Sequence, residues 1–482
     1  MLIQARAFDA ALGDFDTQLD PLLKRIYQAR GITDSTALER KLSCLPAPSV
    51  MQGIPAAVAL LVSSLKQQQR VLIVGDFDAD GATSSALMVL ALTAMGYQQV
   101  DFLVPNRFDY GYGLTPEIVD LALEKAPDLI ITVDNGISSI EGVAHANKLG
   151  IQVIVTDHHL PGASLPEAAA IVNPNQPGCD FPTKNLAGVG VAFYLLSALR
   201  AELRKQNWFA EAEIAEPNMA NWLDLVALGT VADVVPLDQV NRALVYQGLM
   251  RIRAGKCRPG IQALLTIAGK SAHSLVATDL GFALGPRLNA AGRLDDISLG
   301  IQCLLTNDHQ QAMLGAQQLD ELNQDRKLIE QGMQREALAI VEKIPLSLDG
   351  EVPVALCLFQ PEWHQGVVGL LASRIKEKYN RPVVAFARGD GGQLKGSSRS
   401  IPGLHIRDAL DAVATQNPGL ITKFGGHAMA AGLSLDEDKL AAFEEAFQTQ
   451  VEKTLDEDDL LARMVTDGEL HCHQLSMPTA QL

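Results

Sequence analysis

The chain predicts an α/β protein in which a parallel-sheet domain is joined by a long helix to a smaller α/β domain. Three observations carry this. From residue 71 short apolar runs alternate with helical stretches, the pattern of a parallel sheet. Residues 313–344 keep a helical apolar period with no proline before Pro345. A second strand and helix alternation follows Gly350. With 482 residues the chain is too long for one ordinary domain, and its 48% hydrophobic content supplies ample core.

Taken in order, residues 1–70 read as a helical lead-in packing on the next domain, with Leu22, Leu23, Ile26 and Tyr27 on one face and turn signals at Gly31 and Pro46. The parallel-sheet domain, 71–305, has strands expected at 71–74, 100–104, 129–133, 153–156 and 169–172. Ligands gather at the carboxyl ends of such strands. The first four runs end in GDFDADG, PNR, DNG and DHH. Helices are expected at 186–203 and 221–235, and 254–268 continues in that mode. Residues 306–345 read as the connecting helix. The second domain, 346–456, has strands expected near 352–359 and 383–386, a helix at 367–379, glycine-rich turns in GGQLKGSSRS, and a closing helix at 439–455. The tail, 457–482, shows no strand series and no aromatic residue.

Composition bounds the function. A formal net charge of −17 counts against a nucleic-acid protein, although a basic groove can coexist with an acidic exterior. Six scattered cysteines without a C-x-x-C pair argue against a zinc ribbon or a disulfide framework. No apolar run approaches the ~20 residues of a membrane span, and the acidic early residues do not resemble a signal peptide, so a cytoplasmic protein is expected.

The stretch VLIVGDFDADG sets three aspartates, Asp76, Asp78 and Asp80, at alternate positions after an apolar strand. If the pleat persists they face one way. A cation between them, or full solvation, would relieve their repulsion. A calcium loop of the EF-hand kind fails, because Leu87 stands where its bidentate Glu is due. An acidic turn and a metal or catalytic role both remain open on this stretch alone. Asp134 lies in TVDNG, and Asp157, His158 and His159 follow the run VIVT. Asp233 sits in the apolar ALGTVADVVPL, where a cap or a buried hydrogen-bonding group is the plain alternative.

In this order GDFDADG, VDNG, TDHH and GTVADVVPL resemble the four motifs of the DHH phosphoesterase superfamily. PNRFDYGYG, LAGVGVAFYL and LGPRLNAAGR narrow the likeness to the bacterial RecJ type of single-stranded-DNA exonuclease. WHQGVVG, GSSRS and KFGGHAMAAG resemble the associated DHHA1 domain. The resemblance implies two divalent ions, Mn²⁺ or Mg²⁺, held by Asp78, Asp80, Asp134, His158 and Asp233, with Asp76 and His159 in or just outside that shell. Carboxylates suit such hard cations, and an imidazole shifts the preference toward Mn²⁺. Many relatives carry a histidine two residues before the first aspartate, where this chain has Val74; a weaker second ion or compensation by Asp76 is expected.

The resemblance further implies nucleic-acid backbone contacts from Arg107, Arg287, Asn289 and Arg293. In the second domain it implies a terminal-phosphate pocket from Ser398, Arg399, Gly425, Gly426 and His427. The implied activity is 5′ to 3′ hydrolysis of single-stranded DNA to mononucleotides in repair and recombination, with a single-stranded-DNA-binding protein and a helicase as partners. RecJ-type enzymes continue into an OB-fold, so the tail reads as the start of a truncated or divergent one, with weak strand retention expected. The alternatives are a small-substrate phosphodiesterase acting on oligoribonucleotides or cyclic dinucleotides, and a replication scaffold without catalysis.

Overall fold

The computed structural model describes residues 2–7, 14–16, 18–105, 110, 113–343, 353–389 and 392–482. The chain divides into two compact units, Leu38–Gln324 and Met1–Ala37 together with Asp325–Leu482. Strand β1 (Leu2–Ala5) explains the odd composition of the second unit. It pairs in parallel with Arg463–Thr466, Leu2 opposite Arg463 and Ala5 opposite Thr466. Nearby, Arg25 donates to the Glu469 carbonyl at 2.6 Å and Arg30 pairs with Asp467 at 2.7 Å. These contacts tie residues 1–37 to the C-terminal residues, where the sequence reading places all of 1–70 on the parallel-sheet domain. The tail likewise contributes one strand.

The larger unit is built on β2 (Val71–Gly75), β3 (Val100–Leu103), β4 (Leu129–Val133), β5 (Gln152–Thr156) and β6 (Ala170–Val172), in the order β3-β2-β4-β5-β6 and parallel throughout. The central strands β2 and β4 are buried at every position, which their unbroken apolar runs require. Val71, Ile73, Leu129 and Ile131 share one apolar layer with the helix Ile54–Lys66 and with helices α1 (Ala79–Ala94) and α2 (Gly188–Lys205). Leu72, Val74, Ile130, Val153 and Val155 face the opposite layer, against Ile118, Val119 and Val143. Truncating Leu72 to alanine there would cost ~2–5 kcal/mol. Further helices include α3 (Leu223–Ala232) and α4 (Gly285–Leu294), the latter preceded by a π-helix at Leu280–Leu284.

The pleat stops before the aspartates. Asp78 accepts from the amides of Asp80 (2.9 Å) and Gly81 (3.1 Å), capping α1, so the chain turns into helix at Ala79 and Asp80 sits in its first turn. Gly81 lies in the same first turn and must be glycine, because a Cβ there would lie 2.3 Å from the Asp76 carbonyl oxygen.

The long helix, α5 (His309–Val341), has residues to Gln324 in the larger unit and from Asp325 in the smaller one. In the smaller unit Glu330 pairs with Arg326 and, at 3.0 Å, with Arg374. Its sheet comprises β7 (Leu356–Phe359), β8 (Val383–Arg388), β9 (Gln393–Arg399), β10 (Lys423–Gly426) and β11 (Ala430–Asp436), ordered β10-β11-β9-β8-β7. Only β7 and β8 are parallel. Most of GGQLKGSSRS is strand β9 rather than turns, because Gly396 lets the Phe386 ring and Leu433 press against the backbone. In the core beneath, Phe386 meets Phe443 edge to face and Phe443 stacks on Phe447. The C-terminal Arg463–Thr466 is β12. No single helix among the described residues is long and apolar enough to cross a membrane.

Candidate metal centre

Strands β2, β4 and β5 deliver the polar residues that follow them to the same end of the sheet. Asp76 follows β2 and Asp134 follows β4 at φ +61°, a left-handed conformation that aspartate tolerates better than most residues. Asp134 is 1% exposed and its amide donates to the Thr156 carbonyl at 3.1 Å. Asp80 accepts from the first two amides of α2, Gly188 at 2.6 Å and Val189 at 2.9 Å, which fix its carboxylate at a helix N-terminus. The approach needs glycine: a Cβ on Gly188 would lie 2.6 Å from that of Asp134. Asp233 ends α3, its amide bonded to the Gly229 carbonyl at 2.9 Å.

Asp157, at the end of β5, is fully buried and spends both oxygens internally. It accepts from the amides of Ile137 (2.9 Å), His158 (2.7 Å) and His159 (3.0 Å), and faces His159 Nδ1 at 2.7 Å. With Nδ1 engaged, any ligand bond of His159 runs through Nε2. His158 turns the other way, Nε2 lying 3.1 Å from Asp134 Oδ1 and 3.6 Å from Asp233 Oδ2.

Three sets of donor atoms result, each within 4.8 Å: Asp76, Asp78 and Asp134; Asp134, His158 and His159; and Asp80, His158 and Asp233. All seven candidate ligands therefore converge. Val74 belongs to the apolar layer, and Asp76 is the residue of that segment that joins the cluster. Oxygen-rich with two imidazoles and no thiol, this donor set fits hard divalent ions such as Mg²⁺ and Mn²⁺.

The electrostatics agree. Burial, with the charge of Asp78, pushes the Asp80 carboxyl up to about 7. Burial, then Asp80, Asp78 and Asp76, push Asp233 up to about 9. Asp134 lies well above the usual carboxylate range for the same reasons. Such carboxylates resist ionising together unless a cation joins them. Burial would also raise Asp157, but the hydrogen bond and charge of His159 hold it below its ordinary value. His159 in turn is raised, burial being outweighed by Asp157, Asp76 and Asp78.

The residues expected at the nucleic acid are placed less uniformly. Asn289 accepts from the Ala79 amide at 2.7 Å and so braces the start of α1. Arg287, 13% exposed, pairs with Asp320 at 2.8 Å and donates to the Ala283 carbonyl at 2.5 Å, which points to a structural role. Arg293 is half-buried in the last turn of α4. Arg107 lies outside the described residues. In the smaller unit the register sets Gly426 opposite Ala431, and Ala431 opposite Ser398. Gly425, Gly426 and His427 are exposed there. Arg399 lies against Gly369 in the first turn of helix α6 (Val368–Tyr379), beside the positive end of its dipole. The Ser398 hydroxyl is buried and donates to the Ala431 carbonyl at 2.8 Å, so it braces the sheet.

Sequence reasoning passed over two organisers. Asp157 was within reach, since an aspartate directly after an apolar strand and two residues before a histidine suits local side-chain bonding. The amides of Gly188 and Val189 carry no side-chain signal.

Residues 70–230 match the DHH family, N-terminal domain, and residues 351–453 match the DHHA1 domain. This pairing defines a DHH phosphoesterase with its accessory domain. The single-stranded-DNA-specific exonuclease RecJ of Escherichia coli K12 is 57% identical over 97% of this chain and 81% of its own length. That of Dickeya dadantii is 56% identical over the whole chain and 84% of its own. The crystal structure of RecJ in complex with Mn²⁺ from Thermus thermophilus superposes with TM-score 0.77 at 33% identity, covering 93% of this chain and 61% of that one. This chain belongs to the RecJ family.

Proposed function

We propose that the chain is a metal-dependent exonuclease that hydrolyses single-stranded DNA from the 5′ end and releases mononucleotides. The observation that carries it is the convergence of five carboxylates and two histidines into three donor sets that share Asp134 and His158. In this reading Asp76, Asp78, Asp80, Asp134, His158 and Asp233 hold two divalent ions, Mn²⁺ or Mg²⁺, with His159 beside them. The ions supply Lewis-acid charge at the scissile phosphate and lower the pKa of water. The chain's own part is to fix the donors before they bind. The α2 amides orient Asp80, Asp78 is held as a cap, and Asp157 sets the His159 ring so that Nε2 meets the ligand.

The choice of substrate is supported by relatives that are named single-stranded-DNA-specific exonucleases and are matched over about four fifths of their length. Arg399 at a helix N-terminus, with Gly425, Gly426 and His427 exposed on the same sheet one strand away, suits the terminal phosphate in the same proposal. An enzyme confined to single strands needs a supplier of them, so a helicase and a single-stranded-DNA-binding protein in the cytoplasm complete the reading.

The test uses 5′-labelled and 3′-labelled single strands and a blunt duplex, with Mn²⁺, Mg²⁺ or chelator, for the wild type and Asp80→Ala. Metal-dependent release of the 5′ label from single strands, absent in the variant, is expected. Cleavage in chelator would refute the metal mechanism, first release of the 3′ label would refute the polarity, and equal rates on duplex would refute the strand preference.

A further inference from the structure

Among the described residues Phe282 is the only phenylalanine, tyrosine or tryptophan with a freely exposed side chain, at 83%. Exposure of a single apolar residue decides nothing by itself. Its setting does. Phe282 is the middle residue of the π-helix Leu280–Leu284, a rare element that recurs at functional sites. Leu280, Ala283, Leu284 and Leu288 are buried on the inner face of this segment, so Phe282 stands on the outer face, where the pattern calls for a polar residue.

Both ends of the segment abut the metal centre. The π-helix packs on the end of α3, one residue from the candidate ligand Asp233. A Cβ on Gly281 would lie 3.2 Å from Val231 Cγ1, and one on Gly285 3.1 Å from Ala232 Cβ. The helix that follows packs on the acidic loop. Asn289 caps Ala79, and a Cβ on Gly292 would lie 1.8 Å from the Phe77 carbonyl oxygen. The π-helix and α4 thus form one rim of the centre, running from Asp233 to the loop of Asp76 and Asp78, and Phe282 is the solvent-facing aromatic of that rim. Val234, just past Asp233, adds exposed apolar surface at 84% and is held at φ +64°.

We propose that Phe282 is a positioning residue on which a nucleobase of the bound strand stacks, within a few nucleotides of the phosphate at the metal centre. Every base has a π-face, so stacking holds a strand without selecting its sequence, and it leaves phosphate contacts to the cationic groups. It also excludes a paired base, whose faces are covered by its neighbours. The inference rests on the exonuclease reading above and adds to it a contact to the base.

The test compares the wild type, Phe282→Ala and Phe282→Trp on single-stranded oligonucleotides that carry one abasic site at successive positions from the end. Stacking of this kind is worth enough to expect about a tenfold rise in KM for Phe282→Ala, with kcat within about twofold. Phe282→Trp is expected to restore KM. The wild type should lose about the same factor on one abasic substrate, and Phe282→Ala should lose nothing further there. A 2-aminopurine at that position should be quenched by the wild type in Ca²⁺ and not by Phe282→Ala. If Phe282→Ala cleaves intact and abasic strands in the same ratio as an active wild type, the stacking role is refuted and the exonuclease reading stands. A wild type that fails to cleave single strands overturns both.

Discussion

Nε2 of His158 lies 3.1 Å from Asp134 Oδ1 and 3.6 Å from Asp233 Oδ2, so one imidazole joins two of the three donor sets. Removing it weakens both candidate ion positions at once. His158→Ala is expected to cut activity by more than ~100-fold, beyond the loss typical of an outer-shell partner. Titration calorimetry with Mn²⁺ should show fewer sites bound, and retention of two tight sites would contradict the arrangement.

Asp157 tests the outer layer. Asp157→Asn keeps the shape but gives up the charge that holds His159 at 2.7 Å. Metal affinity or activity is expected to fall by ~10–100-fold. The pH profile should shift as well, because the variant no longer raises the His159 pKa. An unchanged profile would remove Asp157 from the mechanism.

Stability should depend on pH with a defined sign. In the folded metal-free chain Asp80 titrates at about 7 and Asp233 at about 9, against ~3.9 for an aspartate in an unfolded chain. Over this interval the folded state holds protons that the unfolded state has released, so the contribution is full below about pH 4 and is lost as pH rises toward 9. Divalent ions must displace those protons, and their affinity should rise over the same range. The gain in Tm on adding Mn²⁺ is therefore expected to be larger at pH 9 than at pH 6 in melting curves, and a gain independent of pH would speak against these carboxylates as ligands.

Arg287 separates anchoring from substrate contact. Its pair with Asp320 is largely enclosed. A double-mutant cycle of Arg287→Ala and Asp320→Ala is expected to return a coupling of about 1–3 kcal/mol in denaturant unfolding. Coupling near zero, with a loss confined to KM for DNA, would return Arg287 to the nucleic-acid surface.

The parallel sheet was legible because each of its central strands is a continuous apolar run, and the candidate ligands stood out because each follows such a run at a strand end or a helix end. Asp76, Asp78 and Asp80 were legible as a group but not in their geometry. The capping bonds of Asp78 pull the second half of the motif into helix. Strand β9 was hidden by glycine and serine, whose presence reflects the crowding of Phe386 against Gly396. The roles of Asn289 and Ser398 were hidden because each bonds a backbone group distant in sequence, at Ala79 and Ala431.

The pairing of Leu2 with Arg463 has a consequence for how the chain is made. Ribosomes add roughly 5–20 residues per second, so β1 leaves the tunnel about 20 seconds or more before its partner strand exists. Through that interval Leu2 and Ile3 present an unpaired edge, and closing so long a loop carries the entropy cost of a late contact. The larger unit can be complete while the smaller one still waits for β12 to be translated.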